Sequence, residues 1–588
     1  MRMPRRHNVQ RARTSAGFLA ALTAVSVVAC DAGQQREPSS AAEAASEEAV
    51  SFGDTSRPNI LLIVVDDLGY TDLGAFGSEI DTPNLDALAG DGVLFSQFYA
   101  SPMCSPTRAM LLSGMDNHRA GVGTLHEKLA ENQQGRRGFE GYLPARVAKL
   151  PELLREAGYR TYMTGKWHLG EEEHNSPAAA GFDRSFALVE SGAGHFSNML
   201  ALSDPRPAMY REDGALVEHL PEEFYSTRFY AERLVEYIES GRDQERPFFA
   251  YLAFTAPHFP LQAPADSIAK YEGKYDAGYE ELHRRRVRRL EELGLLATGT
   301  VPFPALPAEK AWAELSVQEK RISARRMEIY AAMVDDLDRY VGEVVTYLKE
   351  AGEYRTTLIF FLSDNGAEGH WLHQGLQPLH EWSGACCDNS YDNMGRPDSY
   401  VMLGPNWARA ATGPYRLFKG FLSEGGIRVP AFVHFPAGYR GGATIAEPLT
   451  AMDVMPTLLD AAGVEHPAPE FAGREVLPLQ GRSLAPLLKG AAEALHGDVF
   501  SLGWEFLGKR AYRLDNWKIV WQPEQPAWEP WPGGIVTGRW QLYNLADDPG
   551  ERHDLAGEQP QKRDEMIALW EAYAQENWVI HPDRISGY

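Results

Sequence analysis

Cysteine is scarce, with four residues in a chain of 588. So few thiols exclude a scaffold built on disulfides. Basic side chains are also short: 57 against 81 acidic ones, for a formal charge of −24. That sign argues against nucleic acid as the main partner. No internal repeat and no collagen-like or low-complexity composition is present, which excludes solenoid and fibrous designs. What is there is 44% hydrophobic, too much for a largely disordered chain. At roughly 150 residues per domain the length allows three or four domains, although large α/β enzymes fold as fewer, bigger units. These bounds leave an acidic, enzyme-sized α/β protein.

The first residues read as an address rather than as structure. Arg2, Arg5, Arg6, Arg11 and Arg13 precede the apolar run Ala16 to Ala29, which is too short to span a bilayer. The run ends Val27-Val28-Ala29-Cys30, which resembles a bacterial lipobox; Cys30 is then the lipidated N-terminus of the mature protein. Residues 1–29 are therefore expected to be a signal peptide. Their removal takes five Arg and no acid, leaving −29. Residues 30–56, rich in Ala, Ser and Glu, are expected to be a flexible tether. The expected location is the periplasmic or cell-surface face of a bacterial membrane, held by the lipid alone.

At Arg57-Pro58 the texture changes. Asn59 to Val65 (NILLIVV) is aliphatic throughout, the mark of a strand covered on both faces, and Phe248 to Phe254 and Thr357 to Leu362 repeat it. Amphipathic helical segments over Glu222 to Ser240 and Ala324 to Ala351 lie between them. The alternation predicts one large doubly wound α/β sheet flanked by helices. The last hundred residues differ: short strands such as Trp517 to Trp521 and Trp540 to Leu545 precede a helix near Lys562 to Glu576. The expected division is 57–480 for the catalytic domain and 481–588 for an antiparallel sheet with a helix.

Open α/β sheets carry their sites at the carboxyl ends of the strands. There the sequence has Asp66-Asp67, Ser363-Asp364-Asn365-Gly366, Thr255-Ala256-Pro257-His258, and Gly165-Lys166-Trp167-His168 after Tyr159 to Thr164. Taken singly, a strand-end Asp is a helix cap and a lone His is structural; together, carboxylates, an amide, a lysine and two histidines mark one reactive rim. Cys104-Ser105-Pro106-Thr107-Arg108 continues to Ser113-Gly114, with Ser105 read as a helix cap and Pro106 at the first helical position. Cys104 then sits at a helix N-terminus, where an anion is favoured.

That string resembles the type I sulfatase signature, Cys-x-Pro-x-Arg followed by Ser/Thr-Gly, and Gly158 to Gly170 looks like the second signature of the same family. The resemblance extends through Glu424-Gly425-Gly426-Ile427-Arg428-Val429-Pro430 to Asp548-Pro549-Gly550-Glu551, and is closest to bacterial arylsulfatases. It implies an alkaline-phosphatase-like fold with a large mixed sheet, and hydrolysis of aryl or other organic sulfate esters. It also implies that Cys104 is oxidised to formylglycine by a maturation enzyme. The implied metal ligands are Asp66, Asp67, Asp364, Asn365 and an oxygen of residue 104; the ion is usually calcium, and such hard oxygen donors suit it. Arg108 and Lys166 would hold the sulfate. Asp364 would activate the nucleophile, His258 and Lys419 would serve the leaving oxygen, and His168 would take the second hydroxyl proton.

A related phosphomonoester or phosphonate hydrolase is the alternative enzyme, and a lipid-anchored binding protein with unmodified Cys104 the non-enzymatic one. Loops 171–215 and 371–415 are expected to choose the alcohol. Arg284 to Arg289, between glutamates in a helical stretch, reads as a solvated helix face. Cys386-Cys387 is either a vicinal disulfide or two thiols. The spacing of His370, His373 and His380 does not make them ligands, and the tryptophans of 504–540 read as core.

Overall fold

Six consecutive aliphatic residues leave a strand no polar face, so it has to be covered on both sides. In the computed structural model, which describes residues 57–203, 205–307, 309–371, 377–497, 499–523 and 537–583, that covering is found on both sides. Leu61, Ile63 and Val65 enter one hydrophobic core, and Ile60, Leu62 and Val64 enter another on the opposite face. The leader, Cys30 and the tether lie outside the described residues, as do His373 and the His380 side chain.

The main sheet is built from β1 (Asn59–Val65), β2 (Val93–Tyr99), β3 (Arg160–Lys166), β4 (Arg184–Leu188), β5 (Tyr210–Glu212), β6 (Ala215–Val217), β7 (Phe248–Ala253), β8 (Thr357–Ser363), β9 (Arg428–His434), β10 (Ala443–Ile445) and β11 (Leu449–Thr450). Their order is β10-β2-β9-β8-β1-β7-β3-β4-β5-β6, with β11 also on β2. The central strands β8, β1, β7, β3 and β4 run parallel, whereas β9 is antiparallel to both neighbours. The sheet is therefore mixed, as expected. Parallel neighbours bring the carboxyl ends of β8, β1, β7 and β3 to one edge.

Two helices differ from their sequence reading. One starts at Ser226 rather than Glu222, and the other runs Val317–Glu350 rather than Ala324–Ala351. The earlier start of the second has a local cause: Ser316 accepts from the Glu319 amide while Glu319 accepts from the Ser316 amide, a capping box that fixes the first turn. The arginine run lies in the helix Tyr279–Glu292. Arg284, Arg285 and Arg289 pair with glutamates on that helix's own surface, but Arg286 is buried on Asp72 and Glu79. Tyr330 donates to Asp72 and to the Asp67 carbonyl, so this charge cluster braces the loop that follows β1.

After a short hairpin of β12 (Glu470–Phe471) and β13 (Arg474–Glu475), the chain makes an antiparallel sheet of β14 (Ser501–Phe506), β15 (Lys509–Leu514), β16 (Trp517–Trp521) and β17 (Trp540–Asn544). Alternation splits its residues. Tyr512, Ile519 and Leu542 pack on Met566 and Trp570 of the helix Pro560–Glu576. Ala511, Val520, Tyr543 and Trp504 join Tyr99, Met103 and Ile427 of the main body. Trp504 is thus core.

Polar ties cross the same junction. Lys518 Nζ on β16 lies 2.8 Å from Glu424 and 2.9 Å from Glu551, all three buried, and the Glu424 amide donates to Glu551 at 2.8 Å. These contacts join the Glu-Gly-Gly and Pro-Gly-Glu segments in space. His118 is held between Asp116 at 3.0 Å and Glu505 of β14 at 3.1 Å. Burial works against the charged imidazole, but hydrogen bonds to the two carboxylates outweigh it and raise His118 to about 9 from its ordinary 6.5. A raised histidine gives stability that is complete below the unfolded value and is lost as pH climbs through the folded one. Urea-unfolding midpoints should therefore fall between pH 6.5 and 9, and His118→Gln should remove that part of the pH dependence.

Candidate functional site

The groups at the strand ends meet in a space closed to water. Asp66, Asp67, Arg108, Lys166, Asp364 and Asn365 have no exposed surface, and Cys104, His258, Glu368 and Lys419 are nearly as buried. Charges at that depth persist only when paired. Lys166 Nζ, at the end of β3, sits 2.7 Å from Asp66 Oδ2. Lys419 Nζ sits 2.8 Å and 2.9 Å from the two Asp67 oxygens and 3.5 Å from Glu368. Arg108 Nε and Nη2 converge on Asp364 Oδ2 at 2.9 and 2.7 Å, while Nη1 donates to the Lys166 carbonyl at 2.9 Å.

The backbone aims these groups. Asp67 (φ 68°) and His168 (φ 52°) take left-handed conformations just past β1 and β3, which turn their side chains at the strand ends. After Asp364-Asn365, Gly366 approaches the Glu-Gly-Gly turn so closely that a Cβ would lie 2.0 Å from the Gly425 carbonyl oxygen. The helix bearing Cys104 spans Cys104–Ser113 and starts earlier than the sequence indicated. Ser105 does not cap it; Ser105 Oγ is buried without a hydrogen-bond partner, and Thr107 Oγ1 instead accepts from the Ser101 amide at 2.9 Å. Cys104 is therefore the first helical residue.

Four sequence candidates offer ligand atoms within 4.8 Å of one another: Asp66, Asp67, Cys104 and His258. Asn365 adjoins them, its Nδ2 donating to Asp67 Oδ1 at 2.7 Å. Asp364 abuts through Oδ1, 3.4 Å from the Asp67 amide, but its other oxygen belongs to Arg108. Asp66 Oδ1 and Asn365 Oδ1 are both buried with no hydrogen-bond partner. Buried acceptors are seldom left so, and two orphaned oxygens beside two carboxylates fit a hard divalent cation.

The fields divide the carboxyls. Burial acts to raise Asp66, yet Lys166, with Arg108 and Lys419 behind it, overrides burial and holds that group below its ordinary range. Burial pushes Asp67 up to about 8 against Lys419, with Asp66, Glu368 and Asp364 adding to the rise. Burial also lowers His258, helped by Lys419, so its ring is neutral. His258 Nδ1 lies 2.6 Å from the Phe259 carbonyl and must donate to it, which leaves the Nε2 lone pair facing Asp67 Oδ2 at 3.6 Å. Burial raises the Cys104 thiol well above its usual range.

His168 borders the cluster from β3. Neither of its nitrogens is hydrogen-bonded, Glu127 lies 3.6 Å from Nε2, and burial keeps the ring neutral. A cavity of about 270 Å3 opens beside it, lined by Glu127, Tyr142, Glu171, Glu172 and His174 among others. Sequence reading missed Glu127, Tyr251, which lies 3.5 Å from Arg108, and Glu368. It set aside His370, which meets Glu368 at 2.6 Å. Only Glu368 carried a signal: it shares a loop with Asp364.

The family model described as Sulfatase matches residues 58–464. An uncharacterized sulfatase of Schizosaccharomyces pombe is 41% identical over 542 residues, covering 90% of this chain and 95% of its own. An arylsulfatase of Klebsiella aerogenes is 39% identical over 437 residues, covering 73% and 92%. Among solved structures, the crystal structure of Ps i-CgsB is 26% identical with a TM-score of 0.62, covering 90% of this chain and 95% of that one.

If Asp66, Asp67 and Asn365 hold a cation, binding near neutrality displaces the proton that burial keeps on Asp67. Apparent affinity for Ca2+ should then rise with pH up to about 8, by at most about tenfold per unit. Calorimetry in buffers of different ionisation enthalpy should show proton release, and Asn365→Ala should weaken binding. Binding without proton release would refute the assignment.

Proposed function

The chain belongs to the sulfatase family and is a sulfuric ester hydrolase, and on that premise we propose that it cleaves monoesters of organic alcohols through formylglycine made from Cys104, with Ca2+ on Asp66, Asp67, Asp364 and Asn365. The observation that carries this reading is one buried point at which Cys104, two orphaned acceptor oxygens and three paired cations converge. A thiol at residue 104 is a poor nucleophile, since burial keeps it protonated. Oxidation and hydration would place two hydroxyls on one carbon, one to attack sulfur and one to expel sulfate. A bound dication would polarise the sulfate oxygens and the attacking hydroxyl.

The chain's own groups take the remaining work. Arg108, fixed by Asp364 and the Lys166 carbonyl, and Lys166, fixed by Asp66, offer cationic donors to sulfate oxygens without having to reorganise. Asp364 is the base for the attacking hydroxyl. Lys419 supplies the charged donor to the leaving oxygen, because His258 is neutral and presents Nε2 there. His168, neutral and with neither ring nitrogen hydrogen-bonded, takes the proton of the second hydroxyl. The same proposal includes export and lipid anchoring at Cys30, supported by the arginine-rich leader and the lipobox-like string.

The choice of sulfate over phosphate esters is checked by a panel of both on the purified mature protein. Sulfate esters should be the faster by kcat/KM; a phosphate or phosphonate preference would favour the related hydrolase. Residue 104 is checked by Cys104→Ser made where serine is not oxidised. The single hydroxyl can still attack sulfur and release the alcohol, leaving a sulfate ester on residue 104. It has no second hydroxyl with which to expel sulfate. Intact-protein mass spectrometry should show the sulfated chain and at most one turnover. Cycling at the wild-type rate would refute the formylglycine mechanism.

A further inference from the structure

The surface next to His258 is unlike the one next to His168. The Phe259 ring stacks on His258 with centroids 4.4 Å apart, and Lys419 Nζ lies 5.9 Å from the centre of that ring. Phe259 belongs to a small apolar cluster with Tyr400 and Met402, separate from the main cores. Against it pack half-buried Leu202, Trp382 and the Cys386–Cys387 pair, which is joined as a disulfide. The cluster is continuous with the reacting groups: a Cβ on Gly192 would lie 2.9 Å from Leu202 Cδ1 and 3.1 Å from His258 Cε1. Tyr400 also donates to the Leu202 carbonyl at 2.9 Å. The Trp382 indole N–H is buried without a hydrogen-bond partner, an uncommon state for a group that seeks one.

We propose that the Cys386–Cys387 disulfide determines specificity by bracing half-buried Trp382 and Leu202, backed by the buried Phe259–Tyr400–Met402 cluster, as the surface that receives the apolar part of the substrate's alcohol, so that reducing it weakens substrate binding. This rests on the sulfate-ester reading above, in which His258 and Lys419 face the leaving oxygen. The groups beyond them are then the first to touch the alcohol. They are apolar here, whereas Glu127, Glu171 and Glu172 line the cavity at His168 and would repel a second anion. A bond between adjacent cysteines closes a small ring that stops both side chains from rotating. Opening it returns that freedom, which binding must then remove again.

The reduction is balanced: a trialkylphosphine gives two electrons to the S–S bond and takes its oxygen from water, leaving phosphine oxide and two thiols. The test uses the full-length mature protein with Ca2+, 4-nitrophenyl sulfate as substrate and inorganic sulfate as product inhibitor, before and after tris(2-carboxyethyl)phosphine. Peptide mass mapping reports the Cys386–Cys387 bond in each sample. Reduction should raise KM about five-fold, roughly the scale of one buried methylene, with a much smaller change in kcat. Inhibition by inorganic sulfate, which has no apolar part, should stay the same. Trp382→Ala should give the same split in oxidised protein, so the outcome does not depend on a double cysteine variant folding. Free thiols in the untreated protein, a KM indifferent to reduction, or equal losses in kcat and sulfate inhibition would overturn the proposal. No turnover of any sulfate ester by oxidised protein would overturn the sulfate-ester reading and this proposal with it.

Discussion

Four carboxylates and three cations are packed where water does not reach, and the architecture follows from keeping them paired. Asp66, Asp67, Asp364 and Glu368 face Arg108, Lys166 and Lys419 with one formal negative charge left over. Removing one partner from such a set typically costs about 3–5 kcal/mol, because the survivor stays buried without compensation. The strand order meets this requirement, since parallel β8, β1, β7 and β3 deliver their loops to one edge. A dication would reverse the residual charge and leave the pocket attractive to an anion, whatever the acidity of the outer surface.

The support behind these pairs is less obvious than the pairs themselves. Arg286 and Tyr330 fix the loop after β1 through Asp72, and Tyr330 also holds the Asp67 carbonyl, from two helices outside the reacting rim. Lys518 and Glu551 hold the start of the Glu424 turn, whose glycines admit the backbone of Gly366. The small antiparallel sheet is thus part of how Asp364 and Asn365 are held in place. Second-rank contacts of this kind are what keep a charged site from relaxing into a looser geometry.

Much of this was legible in the chain itself. The aliphatic runs identified β1, β7 and β8, because strands covered on both faces must be apolar throughout. The residues after them named most of the site, because the ends of parallel strands share an edge. The loops 171–215 and 371–415 were expected to choose the alcohol, but no residue within them could be named. Glu127 reaches His168 from a loop forty residues away, and Trp382 joins Phe259 across more than a hundred. No periodicity records such encounters. The helix starts at Cys104 and Val317 were misjudged for a smaller reason: caps were read from single residues, whereas tertiary packing and a reciprocal Ser–Glu pair set the first turn. Arg286 was hidden by its neighbours, since only one arginine of the run faces inward.

The spacing of the paired charges along the chain bears on how the protein can be made. Asp66 and Asp67 leave the ribosome first; Lys166 follows 100 residues later, and Lys419 only 352 residues after Asp67. A nascent chain long enough to form β1 and β3 already carries two acids but only part of their balance. The carboxyl edge therefore cannot dry until the last third of the polypeptide has emerged, and until then the apolar strands behind it have no closed surface to rest under. Vectorial synthesis thus leaves the centre of this enzyme open late, and residue 104 stays within reach of other proteins for most of that interval.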